Sequence, residues 1–241
     1  VGLPLFYHRL CCRIFGFRLE LRGRRSDRHP TLFVSNHVSY TDIAVLGALL
    51  PASFVAKSEV AGWPLFGQLA KLQRTVFVDR RIRSTATQKG DIARRLAIGD
   101  NLILFPEGTS GDGNRVLPFK SALLSAAEPV DGEDIAVQPV SIAYAKLDGM
   151  PLSRLDRAYV AWYGDMDLAP HMWTFLGLGR VTVVIEFHPV VTLAELGSRK
   201  ALAEHCRNVI AAGMAAALSG RLAPTQPGAV TAPAAGAGAR A

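Results

Sequence analysis

The sequence predicts a single α/β domain, built on a central mixed sheet of about seven strands surrounded by helices. From Thr31 onward, short apolar runs alternate with stretches of helical composition. No internal repeat and no Pro-rich linker interrupts residues 1–220, so a second domain is not supported. At 241 residues the chain is long enough to bury one sizeable core.

Strands are expected at Thr31–Ser35, Ser53–Ala56, Thr75–Val78, Asn101–Phe105, Ala136–Tyr144, Ala158–Trp162 and Val181–Phe187. Helices are expected at Thr41–Leu50, Pro64–Leu72, Ser84–Ile98, Phe119–Ala127 and Arg199–Leu218, the last two from their Ala, Leu and Lys content. Residues 1–30 form an opening segment in which Leu, Phe and Ile interleave with Arg9, Arg13 and Arg18. An interfacial or juxtamembrane helix fits that pattern, and so does a core-packing helix with arginines on its wet face. The folded domain then runs over 31–220. After Leu222 the sequence collapses to Ala, Pro, Gly and Thr with a single arginine, which buries too little apolar surface to offset the entropy of ordering, and 221–241 is expected to be a disordered tail.

Composition narrows the function. There are 27 Lys plus Arg against 20 Asp plus Glu, and the mean hydropathy is positive, a pairing that suits an anionic membrane surface. Basic residues do not alternate with aromatics and no zinc-finger or RNA-binding signature occurs, so nucleic acid is not an expected partner. Cys11, Cys12 and Cys206 form no C-x-x-C and are odd in number, which argues against a disulfide framework or a metal site and for a reducing compartment. The longest apolar run, Ile43 to Ala56, is shorter than a bilayer-spanning helix and contains Pro51. Trp63 and Trp173 fit either an interfacial anchor or a core position.

Three groups of residues carry candidate chemistry. The strand Thr31–Ser35 runs into Asn36-His37-Val38-Ser39-Tyr40-Thr41-Asp42. A histidine at a strand end can face a cleft, and a carboxylate five residues on, in the first helical turn, can hold it in one tautomer as a general base. Ser39 and Asp42 also fit a capping box, which would make Asp42 a cap and His37 a turn residue. The second group, Phe105-Pro106-Glu107-Gly108-Thr109-Ser110, ends another strand, and its turn can present Glu107, Thr109 and bare N–H groups to a polar head; an ordinary surface turn fits as well. The third is cationic: Arg74 and Arg80 flank one strand and Lys57 closes another, and crevices of α/β sheets lie at strand ends.

Taken in order, Asn36-His37-x4-Asp42, Lys57 with Arg74-Thr75-Val76-Phe77-Val78-Asp79-Arg80, Phe105-Pro106-Glu107-Gly108-Thr109 and Val137-Gln138-Pro139-Val140 resemble the four blocks of the lysophospholipid acyltransferases. The resemblance covers residues 31–145 and implies a glycerolphosphate-acyltransferase-like fold with His37 as base and Asp42 as its partner. It further implies Arg80, Glu107 and Gly108 as glycerol-phosphate contacts and Pro139 as shaping the acyl site. The implied donor is acyl-CoA or acyl carrier protein, with no cofactor or metal, and the implied place is the cytoplasmic face of the inner membrane. The expected reaction is acylation of 1-acyl-glycerol-3-phosphate by direct attack, since no G-x-S-x-G elbow occurs and no cysteine falls in a block. One departure stands out: phosphate-specific members commonly follow Glu-Gly-Thr with arginine, where this chain has Ser110. Arg115 or Lys120 would then have to replace that cation, or the acceptor's head differs. The stretch from Glu107 to Lys120 and Ala161-Trp162-Tyr163-Gly164-Asp165-Met166 are similar to lyso-ornithine-lipid acyltransferases, the alternative acceptor class. Two further readings stay open, a non-catalytic basic lipid-binding protein and a thioesterase with His37 activating water.

Overall fold

The computed structural model describes residues 2–62, 66–78, 92–129 and 132–221. Helix α1 (Gly2–Ile14) leads into strand β1 (Phe17–Gly23), β2 (Thr31–Ser35), helix α2 (Thr41–Leu49), β3 (Ser53–Lys57), α3 (Phe66–Leu72) and β4 (Val76–Val78). A helix described over 92–97 (α4) precedes β5 (Leu102–Leu104), β6 (Ala136–Leu147) and the short β7 (Met150–Pro151). Then come α5 (Leu168–Leu176), β8 (Val181–Phe187), α6 (Leu193–Leu196) and α7 (Arg199–Leu218).

Among the described residues the strands form one sheet in the order β1-β8-β6-β2-β5-β3-β4, with β7 beside β6. Strands β6, β2, β5, β3 and β4 are mutually parallel, while β8 runs against β6 and β1 runs with β8. The sheet is therefore mixed, as expected, and the carboxyl ends of five neighbouring strands share one edge.

Both faces are covered, which explains why β2, Thr-Leu-Phe-Val-Ser, is buried at every position. Leu32, Val34, Leu102 and Val137 pack with Leu202, Cys206, Ile210 and Met214 of α7 on one side. Phe33, Ile103, Val140 and Ile142 pack with Val45 and Leu46 of α2 on the other. Helix α2 is apolar nearly all round because it is sandwiched between sheet and α1. Gly47 makes that second contact possible: a Cβ there would lie 2.4 Å from Cδ2 of the buried His8.

Several elements differ from expectation. Phe17–Gly23 belongs to the opening segment by sequence, yet it forms the edge strand β1, in parallel register with Val181–Phe187. Its alternation of Phe17, Leu19 and Leu21 with Arg18, Glu20 and Arg22 is the period-two signal of a half-buried strand, and charges on an edge strand discourage further pairing. No strand forms at 158–162; a 3-10 turn (Asp156–Tyr159) stands there, and the buried Val160 and Ala161 pack as irregular backbone. A short apolar run has no periodicity to separate those outcomes. The expected helix at 119–127 is a 3-10 helix, Ser121–Ala127. Most of the expected helix at 84–98 and the tail from residue 222 lie outside the described residues.

A glycine-to-alanine change inside a helix ordinarily stabilises by about 0.5–1 kcal/mol. At Gly47 the clash with His8 should outweigh this, since overpacking costs about 1–3 kcal/mol. Gly47→Ala is therefore expected to lower the urea midpoint, measured by equilibrium denaturation.

Candidate active site

The centre of the site is set by where β2 ends. Past Ser35 the ladder to β6 is continued by a side chain: the amide of the buried Asn36 donates to the Ile142 carbonyl at 3.0 Å and accepts from the Ile142 N–H at 2.9 Å. The chain therefore leaves the sheet at one defined point, and His37 is the next residue.

His37 Nδ1 lies 2.8 Å from Asp42 Oδ2. The same oxygen accepts the backbone N–H groups of Val38 at 2.7 Å and Ser39 at 3.0 Å. Asp42 thus closes the turn, as a capping carboxylate does, and orients the imidazole as well. The capping box itself is incomplete, since the buried Ser39 Oγ has no hydrogen-bond partner among the described residues. Asp42 Oδ1 accepts the hydroxyl of Tyr144 at 2.7 Å, and Thr41 Oγ1 lies 2.6 Å from that hydroxyl. Because the single Tyr144 proton goes to the carboxylate, Thr41 donates to Tyr144. Burial, and then the charge of Asp42, push the Tyr144 hydroxyl well above its ordinary range, so it remains a donor.

With Nδ1–H committed to Asp42, Nε2 carries the free lone pair of the neutral imidazole. The side chain of His37 is 21% exposed while that of Asp42 is 0% exposed, so the imidazole faces solvent and its partner does not. The ring stacks on Phe105 with centroids 4.2 Å apart, and Phe105 lies nearly parallel to Phe54 beyond it.

The turn after β5 packs beside this loop because β2 and β5 are adjacent and parallel. Gly108, at φ +72°, reverses the chain, and Gly111 N–H donates to the His37 carbonyl at 2.9 Å. Glu107 is placed differently from the reading that turned it toward an acceptor. It is 3% exposed, Oε1 accepts the His37 N–H at 2.8 Å, and Oε2 accepts the Leu117 N–H at 3.0 Å. Burial is the largest influence on this carboxyl and pushes it up to about 7, against the lowering effect of the two amides. Thr109, Arg115 and Lys120 are exposed on the same loop, and neither cation has a side-chain partner among the described residues.

The remaining expected residues divide. Lys57 ends β3 at the edge that carries His37. Arg74 does not belong there: it precedes β4, at the opposite edge of the sheet, where it pairs with Asp100 at 3.3 Å. The reason is geometric, since residues flanking one strand in sequence stand at opposite edges in space. Arg80 lies outside the described residues. Pro139 sits inside β6, opposite Val34, and its carbonyl accepts the His188 N–H just past the end of β8. The Gln138 side-chain amide donates to the His188 carbonyl at 2.9 Å, a bond that the proline, lacking an N–H, cannot make.

Sequence reasoning did not find Tyr144 or the roles of Asn36 and Thr41. It also missed Arg157, which bonds Asn114 Oδ1 at 2.6 Å and braces the turn after Gly111. No metal-holding group of three or more His, Cys, Asp or Glu exists among the described residues.

The Acyltransferase family model matches residues 18–143. The lyso-ornithine lipid O-acyltransferase of Brucella abortus is 48% identical over 228 residues, 92% of this chain and 85% of that protein. The enzyme of the same name from Rhizobium meliloti is 42% identical over 82% of this chain and 70% of its own length. A 1-acyl-sn-glycerol-3-phosphate acyltransferase from Neisseria gonorrhoeae is 31% identical over 80% and 73% respectively. Among solved structures, the 1-acyl-sn-glycerophosphate acyltransferase of Thermotoga maritima superposes with a TM-score of 0.65, covering 92% of this chain and 80% of that one at 21% identity.

Two measurements check the geometry. In ¹⁵N NMR the neutral His37 ring should be the Nδ1–H tautomer. Tyr144→Phe should keep that tautomer yet destabilise the fold by about 1–3 kcal/mol, because a buried carboxylate oxygen and the Thr41 hydroxyl lose their partner.

Proposed function

Since the chain belongs to the acyltransferase family, within its lysophospholipid branch, we propose that it moves a fatty acyl group from an acyl thioester to the hydroxyl of lyso-ornithine lipid. The observation that carries the acceptor is Ser110, which stands where phosphate-specific members commonly place arginine. The higher identity to the two lyso-ornithine lipid enzymes than to the glycerol-phosphate enzyme supports the same choice. Arg115 and Lys120 are then available to the carboxylate of an amino-acid head rather than to a phosphate. Acylation of 1-acyl-glycerol-3-phosphate, the first expectation, becomes the second reading.

In the proposed mechanism His37 Nε2 takes the proton of the acceptor hydroxyl, and the oxygen attacks the thioester carbonyl. The C–S bond then breaks, and the imidazolium returns its proton to the departing thiolate. The imidazolium is stabilised by Asp42 while it lasts. Neither Cys12 nor Cys206 suits a covalent acyl-cysteine: both are buried, with thiols pushed up to about 12, chiefly by that burial.

Acyl-CoA or acyl carrier protein is the proposed donor, and the cytoplasmic face of the inner membrane the proposed place of action. No helix among the described residues is long and apolar enough to cross a bilayer. The proposed membrane contact is helix α1. Leu3, Phe6, Leu10 and Ile14 form one exposed apolar stripe, with Arg9 and Arg13 beside it, while His8 and Cys12 face α2.

The deciding assay offers labelled acyl donor with lyso-ornithine lipid or lysophosphatidic acid to wild type and His37→Ala. Ornithine lipid is expected from wild type, with a loss of about 10²- to 10⁴-fold in the variant. Phosphatidic acid as the sole product would favour the second reading, and free fatty acid alone would favour hydrolysis. Normal turnover by folded His37→Ala would remove the base assignment. Phe6→Ser with Leu10→Ser is expected to weaken sedimentation with phosphatidylglycerol vesicles, each side chain contributing up to about 1.5–3 kcal/mol if fully buried.

A further inference from the structure

The third motif block is read in this family as an acceptor contact, and the geometry of Glu107 points elsewhere. Its two oxygens are occupied by two backbone N–H groups, those of His37 and Leu117, and the residue is 3% exposed. These amides belong to different segments, the turn that carries the base and the far limb of the loop after β5. A second bond runs in parallel, from Gly111 N–H to the His37 carbonyl at 2.9 Å. The peptide groups on both sides of His37 are therefore held by the loop after β5, one through a side chain and one through backbone.

We infer that Glu107 is a positioning residue that fixes the backbone of His37, and not a group that touches the acceptor. A carboxylate suits the task because it presents two acceptor oxygens and no donor. Glutamine offers one acceptor oxygen and turns an N–H₂ toward the other amide, so the nearly isosteric change breaks one of the two links. The proposal rests on the acyltransferase reading only for its kinetic arm.

The charge state adds a thermodynamic signature. The charges facing this carboxyl are His37 and Asp42. Burial raises it from an ordinary 4.5 to about 7. A carboxyl raised in the folded state binds its proton more tightly when folded, so its contribution to stability is full below the unfolded value and declines as pH rises toward the folded one. The ionised form that accepts both amides is thus the form that costs stability.

The test is Glu107→Gln, studied three ways. Turnover at saturating acceptor should fall about 10²-fold, as for a small misplacement of a reacting group, with the acceptor KM unchanged. Without any substrate, amide exchange at His37 and Leu117 should accelerate at least about tenfold at pH 8, an opening that intact hydrogen bonds suppress. The melting temperature of the variant relative to wild type should rise as pH increases from about 4.5 to 7. A raised acceptor KM with turnover intact would make Glu107 an acceptor ligand and overturn the inference. Unchanged amide protection would overturn it independently of any activity, so its failure is distinguishable from failure of the acyltransferase reading.

Discussion

The site depends on a carboxylate kept entirely out of water. An ionised carboxylate without hydrogen bonds does not persist in such surroundings, because the cost of desolvation exceeds the stability of a typical domain. Asp42 is tolerated because four donors converge on it: two backbone N–H groups from the turn, the imidazole, and the hydroxyl of Tyr144. The arrangement constrains all four partners. The turn must be tight, the imidazole must carry its proton on Nδ1, and β6 must place a tyrosine at that height in the sheet. Orientation of the imidazole follows from satisfying the buried carboxylate.

Sheet topology turns this local solution into a cleft. Adjacent parallel strands deliver their following loops to the same edge, so the His37 turn after β2 and the Glu107 turn after β5 become neighbours. Asn36 then fixes the exit point by bonding Ile142 as a backbone group would. The reversed strands β8 and β1 send their following residues to the opposite edge. Their preceding segments, at Gly16 and Arg180, instead reach the edge that carries His37.

Local chemistry was legible in the sequence and long-range chemistry was not. His37 and Asp42 could be paired because five residues and one turn link them. Tyr144 contributes to the same carboxylate from 102 residues away, and no spacing rule reaches that far. Glu107 was found by its motif but assigned outward, since a turn of Pro, Glu and Gly has the composition of a surface loop and nothing in it reveals that both oxygens meet backbone amides. Arg74 was misplaced because a strand reads as a point in sequence and as a rod in space. In the fold, Val181–Phe187 and Arg199–Leu218 were clear from β-branched apolar and Ala-rich character. Strand β1 was concealed by the helix before it, and the buried run at Val160 resembles a strand without forming one.

The pairing of β1 bears on how the chain is made. Residues 17–23 find their hydrogen-bonding partners only at 181–187, so nearly the whole domain must emerge from the ribosome before the first strand can dock. Closing so long a loop is slow compared with forming the neighbouring α1–α2 contact, whose members are close in sequence. The amino-terminal helix can thus settle on α2 while the edge of the sheet remains open, and completion of β8 is the event that closes that edge before α7 covers the remaining face.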